Sequence, residues 1–131
     1  MNDIKLYEDL NIQLYDLPLI NPSNLERFIN STKNNPAYLL EIFESFLDDS
    51  KELLHTIEIS NKTGDLGQYF NSVHSLKGLA GTMGFSRLFS LLKAMDTHNK
   101  ENSFDESSKF IPLLKKLLQD IEVYINSEFA R

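Results

Sequence analysis

The chain has 131 residues, 41% of them hydrophobic, which is enough to bury one core and too few for two ordinary domains. Its formal net charge of −6 argues against nucleic-acid or anionic-membrane partners, either of which would want clustered Lys and Arg. The absence of cysteine excludes disulfides, thiolate metal sites and thiol nucleophiles.

The first residues, MNDIKLYEDLNIQLYDL, carry neither the basic start nor the apolar run of a signal peptide, and no stretch approaches a membrane-spanning length. A cytoplasmic location is expected. Residues 1–20 mix apolar and acidic positions without a firm period, and read as a short helix or loosely held arm ending at Pro18. Residues 21–131 then form the main domain.

Pro22 suits a first helical position, and Ser23 with Glu26 offers a capping box ahead of Leu25, Phe28 and Ile29, giving a short helix to about Ser31. Asn35 and Pro36 start a longer helix, in which Leu39, Ile42, Phe43, Phe46, Leu53, Leu54 and Ile57 recur at three- and four-residue spacings. Gly64 should stop it and Asp65 cap a third helix over about Leu66 to Met83. Gly84 suits a C-terminal cap, and Ser86 is placed to cap a fourth helix carrying Leu88, Leu91, Leu92 and Met95.

Asn99 to Asn102 reads as a polar loop, followed by a last amphipathic helix with Leu114, Leu117, Leu118, Ile121 and Ile125, to about Glu128. A start at Ser103, with Glu106 completing a capping box, would put Pro112 inside that helix and kink it; a start near Ser108 would leave Pro112 in the first turn. No segment alternates as a strand does. The expected fold is all-α, an antiparallel four-helix bundle with a short additional N-terminal helix.

The third helix carries the chemistry. At roughly 100° per residue, Leu66, Tyr69, Val73, Leu76, Leu79, Ala80 and Met83 share one broad arc that must face the core. His74 falls almost opposite that arc, with Lys77 and Gly78 one turn along, Gly81 two turns along and Gly67 two turns back. A glycine inside a helix costs about 0.8–1.0 kcal/mol relative to alanine, so Gly78 and Gly81 on an exposed stripe imply that bare backbone is wanted there. An ordinary surface histidine or a solvated surface lysine would not require such neighbours. If these glycines served helix packing instead, His74 would have to be buried, which the wheel disfavours.

A flat surface around an imidazole suits a second protein bringing a reactive group within bonding distance. Histidine side chains titrate near 6.5, so a neutral imidazole offers a nucleophilic lone pair without an adjacent base. Lys77 places an ammonium about one turn away, where it would stabilise a phosphoryl group on the ring. Phe70 and Asn71, on the same face, join Gly78 and Gly81 as the expected partner-binding surface.

The run HSLKGLAGTMGFSRL, His74 to Leu88, closely resembles the signature of histidine-containing phosphotransfer (HPt) domains, H-x-L-K-G-x-A-x-x-x-G followed by an apolar helix. The likeness extends over about Pro22 to Glu128. It implies that His74 is phosphorylated on Nε2 by the aspartyl phosphate of a receiver domain and passes the group to another receiver's aspartate. It further implies response-regulator receiver domains and a hybrid sensor kinase as partners, a monomeric carrier, and no cofactor of its own, Mg²⁺ being brought by the receiver. Two departures stand out: Asp96, where the family more often has glutamate, and Pro112 in the last helix. Neither is expected to touch the phosphorylation site.

Other patterns weigh little. Ser90-Leu-Leu-Lys93 and Lys62-Thr-Gly64 resemble β-lactamase motifs in the wrong order, and His55 and His98 lack a second ligand at metal-binding spacing. A helical adaptor that docks without carrying phosphate is the competing reading, but it would be expected to have lost His74 or Lys77. The histidine-bearing segment of a larger hybrid or chemotaxis kinase is another. The sequence has no nucleotide-binding glycine box, so a phosphoryl carrier, not an enzyme, is expected.

Overall fold

The computed structural model describes residues 13–129; residues 1–12 of the expected N-terminal arm lie outside the described residues, as do 130 and 131. After a helical turn at 13–15, the helices run α1 Pro22–Thr32, α2 Pro36–Thr63, α3 Leu66–Met83, α4 Ser86–Lys100, α5 Phe104–Ser108 and α6 Ile111–Glu128. Among the described residues there is no strand and no helix long and apolar enough to cross a membrane. The long helices α2, α3, α4 and α6 form the four-helix bundle, with α1 as the additional N-terminal helix.

Two tight turns set the topology. Gly64 and Gly84 end α2 and α3 in the left-handed region, at φ 77° and 79°, a conformation open to glycine at no steric cost. Asp65 accepts from the Gln68 backbone N–H at 3.1 Å and caps α3 as expected. Each connection is so short that α2, α3 and α4 must run antiparallel as neighbours.

Several helix ends differ from the sequence reading. Asn21, not Ser23, caps α1: its Oδ1 accepts from Ser23 N at 2.9 Å and Asn24 N at 3.3 Å, because Ser23 already lies inside the helix. Ser86 is the first residue of α4 and makes no cap; that position falls to buried Phe85, whose side chain belongs to the core. The segment expected as a polar loop from Asn99 is instead the last turn of α4, and Asn99 is buried; the loop starts afterwards, with Asn102 at φ 59°. Pro112 neither kinks nor breaks a helix. The chain forms the short α5 first, and Pro112 then occupies the first turn of α6, where its missing N–H is not needed.

The core gathers Phe43, Phe46 and Ile57 of α2, Tyr69, Val73, Leu76 and Ala80 of α3, Leu88, Leu91, Leu92 and Met95 of α4, and Leu114, Leu117, Ile121 and Ile125 of α6. The predicted arc of α3 holds except at its start. Leu66, in the first turn and at the edge of the arc, is 50% exposed. Buried Tyr69 shares a 2.8 Å hydrogen bond with Ser107, which ties α5 to the base of α3.

The described part of the N-terminal segment is held against the α3–α4 turn. Leu14 and Ile20 are buried, Arg87 Nε donates to the Leu17 carbonyl at 2.6 Å, and Asn21 N donates to the Gly84 carbonyl at 2.7 Å.

Candidate functional site

His74 lies mid-way along α3 with 57% of its side chain exposed. Behind it Tyr69, Val73, Leu76, Ala80 and Met83 are buried, so burial of the apolar arc is what leaves the imidazole in solvent. Phe70, one turn earlier, lies parallel to the imidazole with ring centroids 6.4 Å apart and planes 8° apart. Asn71 is exposed and Phe70 half-buried. The structure thus brings Phe70, Asn71, His74, Lys77 and Gly78 together on and beside one stripe.

The two glycines part company. A methyl group added at Gly78 would meet nothing within 4 Å, whereas one at Gly81 would lie 3.3 Å from Cδ2 and Cε2 of Phe89 on α4. Gly78 is therefore bare helix surface. Gly81 is a close-packing position as well as a surface one, so a glycine here serves helix packing while His74 stays exposed, which corrects the expectation that the two exclude each other.

Lys77 also differs from expectation. Its ammonium does not stand free beside the imidazole; Nζ donates to Asp96 Oδ2 at 2.6 Å, and only 19% of its side chain is exposed. Asp96 is the residue that sequence reasoning missed. Against the expectation that it does not touch the phosphorylation site, it lies at its centre, nearly fully buried. Its Oδ2 takes Lys77 and, at 3.2 Å, Lys100, while its Oδ1 lies 3.5 Å from His74 Nδ1 and accepts no hydrogen bond. The available signal was its position: Asp96 follows Leu88 and Leu92 on the inward face of α4, where a carboxylate is tolerated only if paired.

Burial alone would push the Asp96 carboxyl up. The hydrogen bonds and charges of Lys77 and Lys100 outweigh that, and hold its pKa below the ordinary carboxylate value. The site therefore presents a more than half-exposed imidazole whose Nδ1 faces an ionised, buried carboxylate. Among the described residues no three His, Cys, Asp or Glu side chains are grouped to hold a metal ion.

Residues 41–123 match the Hpt domain family. No curated protein matches. Among solved structures, histidine-containing phosphotransfer protein B (HptB) from Pseudomonas aeruginosa PAO1 shares the fold, with a TM-score of 0.74 and 16% identity over 85% of this chain and 94% of that chain. The chain belongs to the Hpt domain family, whose members are phosphocarriers in phosphorelays.

Proposed function

We propose that this chain is a carrier in a multistep phosphorelay, with His74 accepting a phosphoryl group from a receiver aspartate and passing it to a second receiver. The observation that carries the reading is the exposed His74 imidazole backed at Nδ1 by the buried Asp96 carboxylate.

The step balances without a general base. The His74 Nε2 lone pair attacks phosphorus as the P–O bond to the receiver's aspartate breaks, and that aspartate leaves as a carboxylate. With its proton on Nδ1, the imidazole gains positive charge as the N–P bond forms. Asp96 is placed to stabilise that charge, and its pull strengthens as the charge grows, so it favours the transition state over the free imidazole. Transfer onward reverses these events on another receiver.

Lys77 supports the site through Asp96, keeping it ionised and fixed, and contributes positive potential one turn from the phosphoryl group. Gly78 keeps the approach to Nε2 clear, with Phe70, Asn71 and Gly81 around it. The partners are receiver domains and a hybrid sensor kinase; the carrier works as a monomer in the cytoplasm, and Mg²⁺ chemistry belongs to the receiver. Incubation with phosphorylated receiver domains tests the reading. Label that is lost in acid and stable in base is expected, and label stable in acid or absent with every receiver contradicts it.

A further inference from the structure

A histidine side chain turns about two torsions, and both must be set before Nε2 meets an incoming phosphoryl group in a reactive orientation. The Asp96 contact does not set them by itself. Its Oδ1 lies 3.5 Å from Nδ1 and accepts no hydrogen bond, so the carboxylate attracts one edge of the ring without directing its plane. More than half of the His74 side chain is in solvent, where an unrestrained side chain exchanges rotamers within nanoseconds.

A second restraint comes from the helix itself. Side chains on an α-helix lean toward its N-terminus, which lays each residue onto the one four positions earlier. Four positions before His74 stands Phe70, and the two rings are parallel to within 8° with centroids 6.4 Å apart, inside the range of an offset aromatic pair. Phe70 is half-buried but, unlike Tyr69 and Val73 on the same helix, is not part of the described core. Core packing therefore does not ask for a flat ring here, and the imidazole is what that ring lies parallel to. The two restraints are complementary. Stacking fixes the plane of the imidazole but leaves a half-turn of the ring open, because the flipped ring stacks equally well. Asp96 decides that half-turn, since the flip would put Cδ2 in place of Nδ1 toward the carboxylate. With Nδ1 turned to Asp96, Nε2 is the nitrogen left for the donor.

We infer that Phe70 is a positioning residue for phosphoryl transfer: its ring holds the plane of the His74 imidazole, so that Asp96 selects which nitrogen reacts. The inference rests on the phosphocarrier reading above. It gives Phe70 a part in the chemical step, separate from contact with a partner protein.

The test uses the full chain and two donors: the receiver domain that labels it fastest in a panel, and phosphoramidate. With phosphoramidate the Nε2–P bond forms as the P–N bond breaks and ammonia leaves, so this small donor reads the chemical step without a protein partner. Phe70→Leu keeps an apolar side chain and removes the flat ring, whereas Phe70→Tyr keeps the ring. Measured well below each variant's thermal midpoint, labelling of His74 should slow about two- to tenfold in Phe70→Leu, the population shift that loss of an aromatic pair produces. The factor should be similar for both donors, with the loss in kcat and the KM for phosphorylated receiver little changed. Phe70→Tyr should label at the native rate. Three-bond NMR couplings across the first His74 torsion should show one rotamer in the native protein and averaging in Phe70→Leu. A phosphoramidate rate unchanged in Phe70→Leu overturns the inference, and a raised receiver KM beside it would make Phe70 a partner contact alone. Equal losses in Phe70→Leu and Phe70→Tyr overturn it too, since the flat ring would then not be what matters. Failure of both donors to label His74 in the unmodified chain overturns the carrier reading itself.

Discussion

Replacing Asp96 by asparagine keeps the shape of the side chain and removes its charge. In the native protein one buried carboxylate serves Lys77 at 2.6 Å and Lys100 at 3.2 Å and faces His74 Nδ1 at 3.5 Å. Removing one member of a fully buried ion pair costs about 3–5 kcal/mol. Lys100 is more than half exposed and can turn to water, and asparagine still offers Lys77 an acceptor oxygen. We therefore expect the low end or below, about 2–3 kcal/mol at pH 7, which leaves a domain of ordinary stability folded. Urea unfolding measures it. The pH dependence gives a second reading. The Asp96 pKa is lowered on folding, so its contribution is fully present above the unfolded value and is lost as pH falls through the folded one. The gap between native protein and Asp96→Asn should thus be constant near neutrality and shrink below about pH 4. Transfer should slow as well, since the carboxylate no longer answers the charge on the imidazole. A variant as stable as the native protein at pH 7, or a gap that widens in acid, refutes the reasoning.

The glycines give contrasting expectations. Gly78→Ala should stabilise the fold by about 0.8–1 kcal/mol in thermal or urea unfolding, because the added methyl meets nothing, while a bulky residue there should slow transfer from a receiver. Gly81→Ala should stabilise less or not at all, since Phe89 lies 3.3 Å from the added methyl and must shift; equal gains at both positions would refute the distinction. Gly84→Ala should destabilise by about 2 kcal/mol or more. There the positive φ is unfavourable, and the added carbon would fall 2.5–2.7 Å from Asn24 side-chain atoms. Retention of native stability would show that the α3–α4 turn relaxes freely.

The fold was legible wherever a local signal had a single physical meaning. Gly64, Gly84 and Asp65 marked helix ends because left-handed glycine and an N-terminal carboxylate leave few alternatives, and the apolar period of α3 placed His74 in solvent. Caps were less legible where two candidates lay side by side. Asn21 and Ser23 both suit the N-cap, and only the docking of Asn21 N on the Gly84 carbonyl decides between them. The polar run from Asn99 has the composition of a loop, whereas the inward position of Asn99 on α4 depends on tertiary packing. Asp96 was visible as a residue and invisible as a partner. Its link to Lys77 spans 19 positions in sequence, and only the antiparallel register of α3 and α4 brings them together.

The central claim is that His74 carries the phosphoryl group, and the most direct measurement compares native protein with His74→Gln after exposure to the same phosphorylated receiver. The account predicts one acid-labile, base-stable phosphoryl group on the native chain, located on His74 by mass spectrometry under basic conditions, and none on the folded variant. Label of the same chemistry persisting in His74→Gln would contradict it.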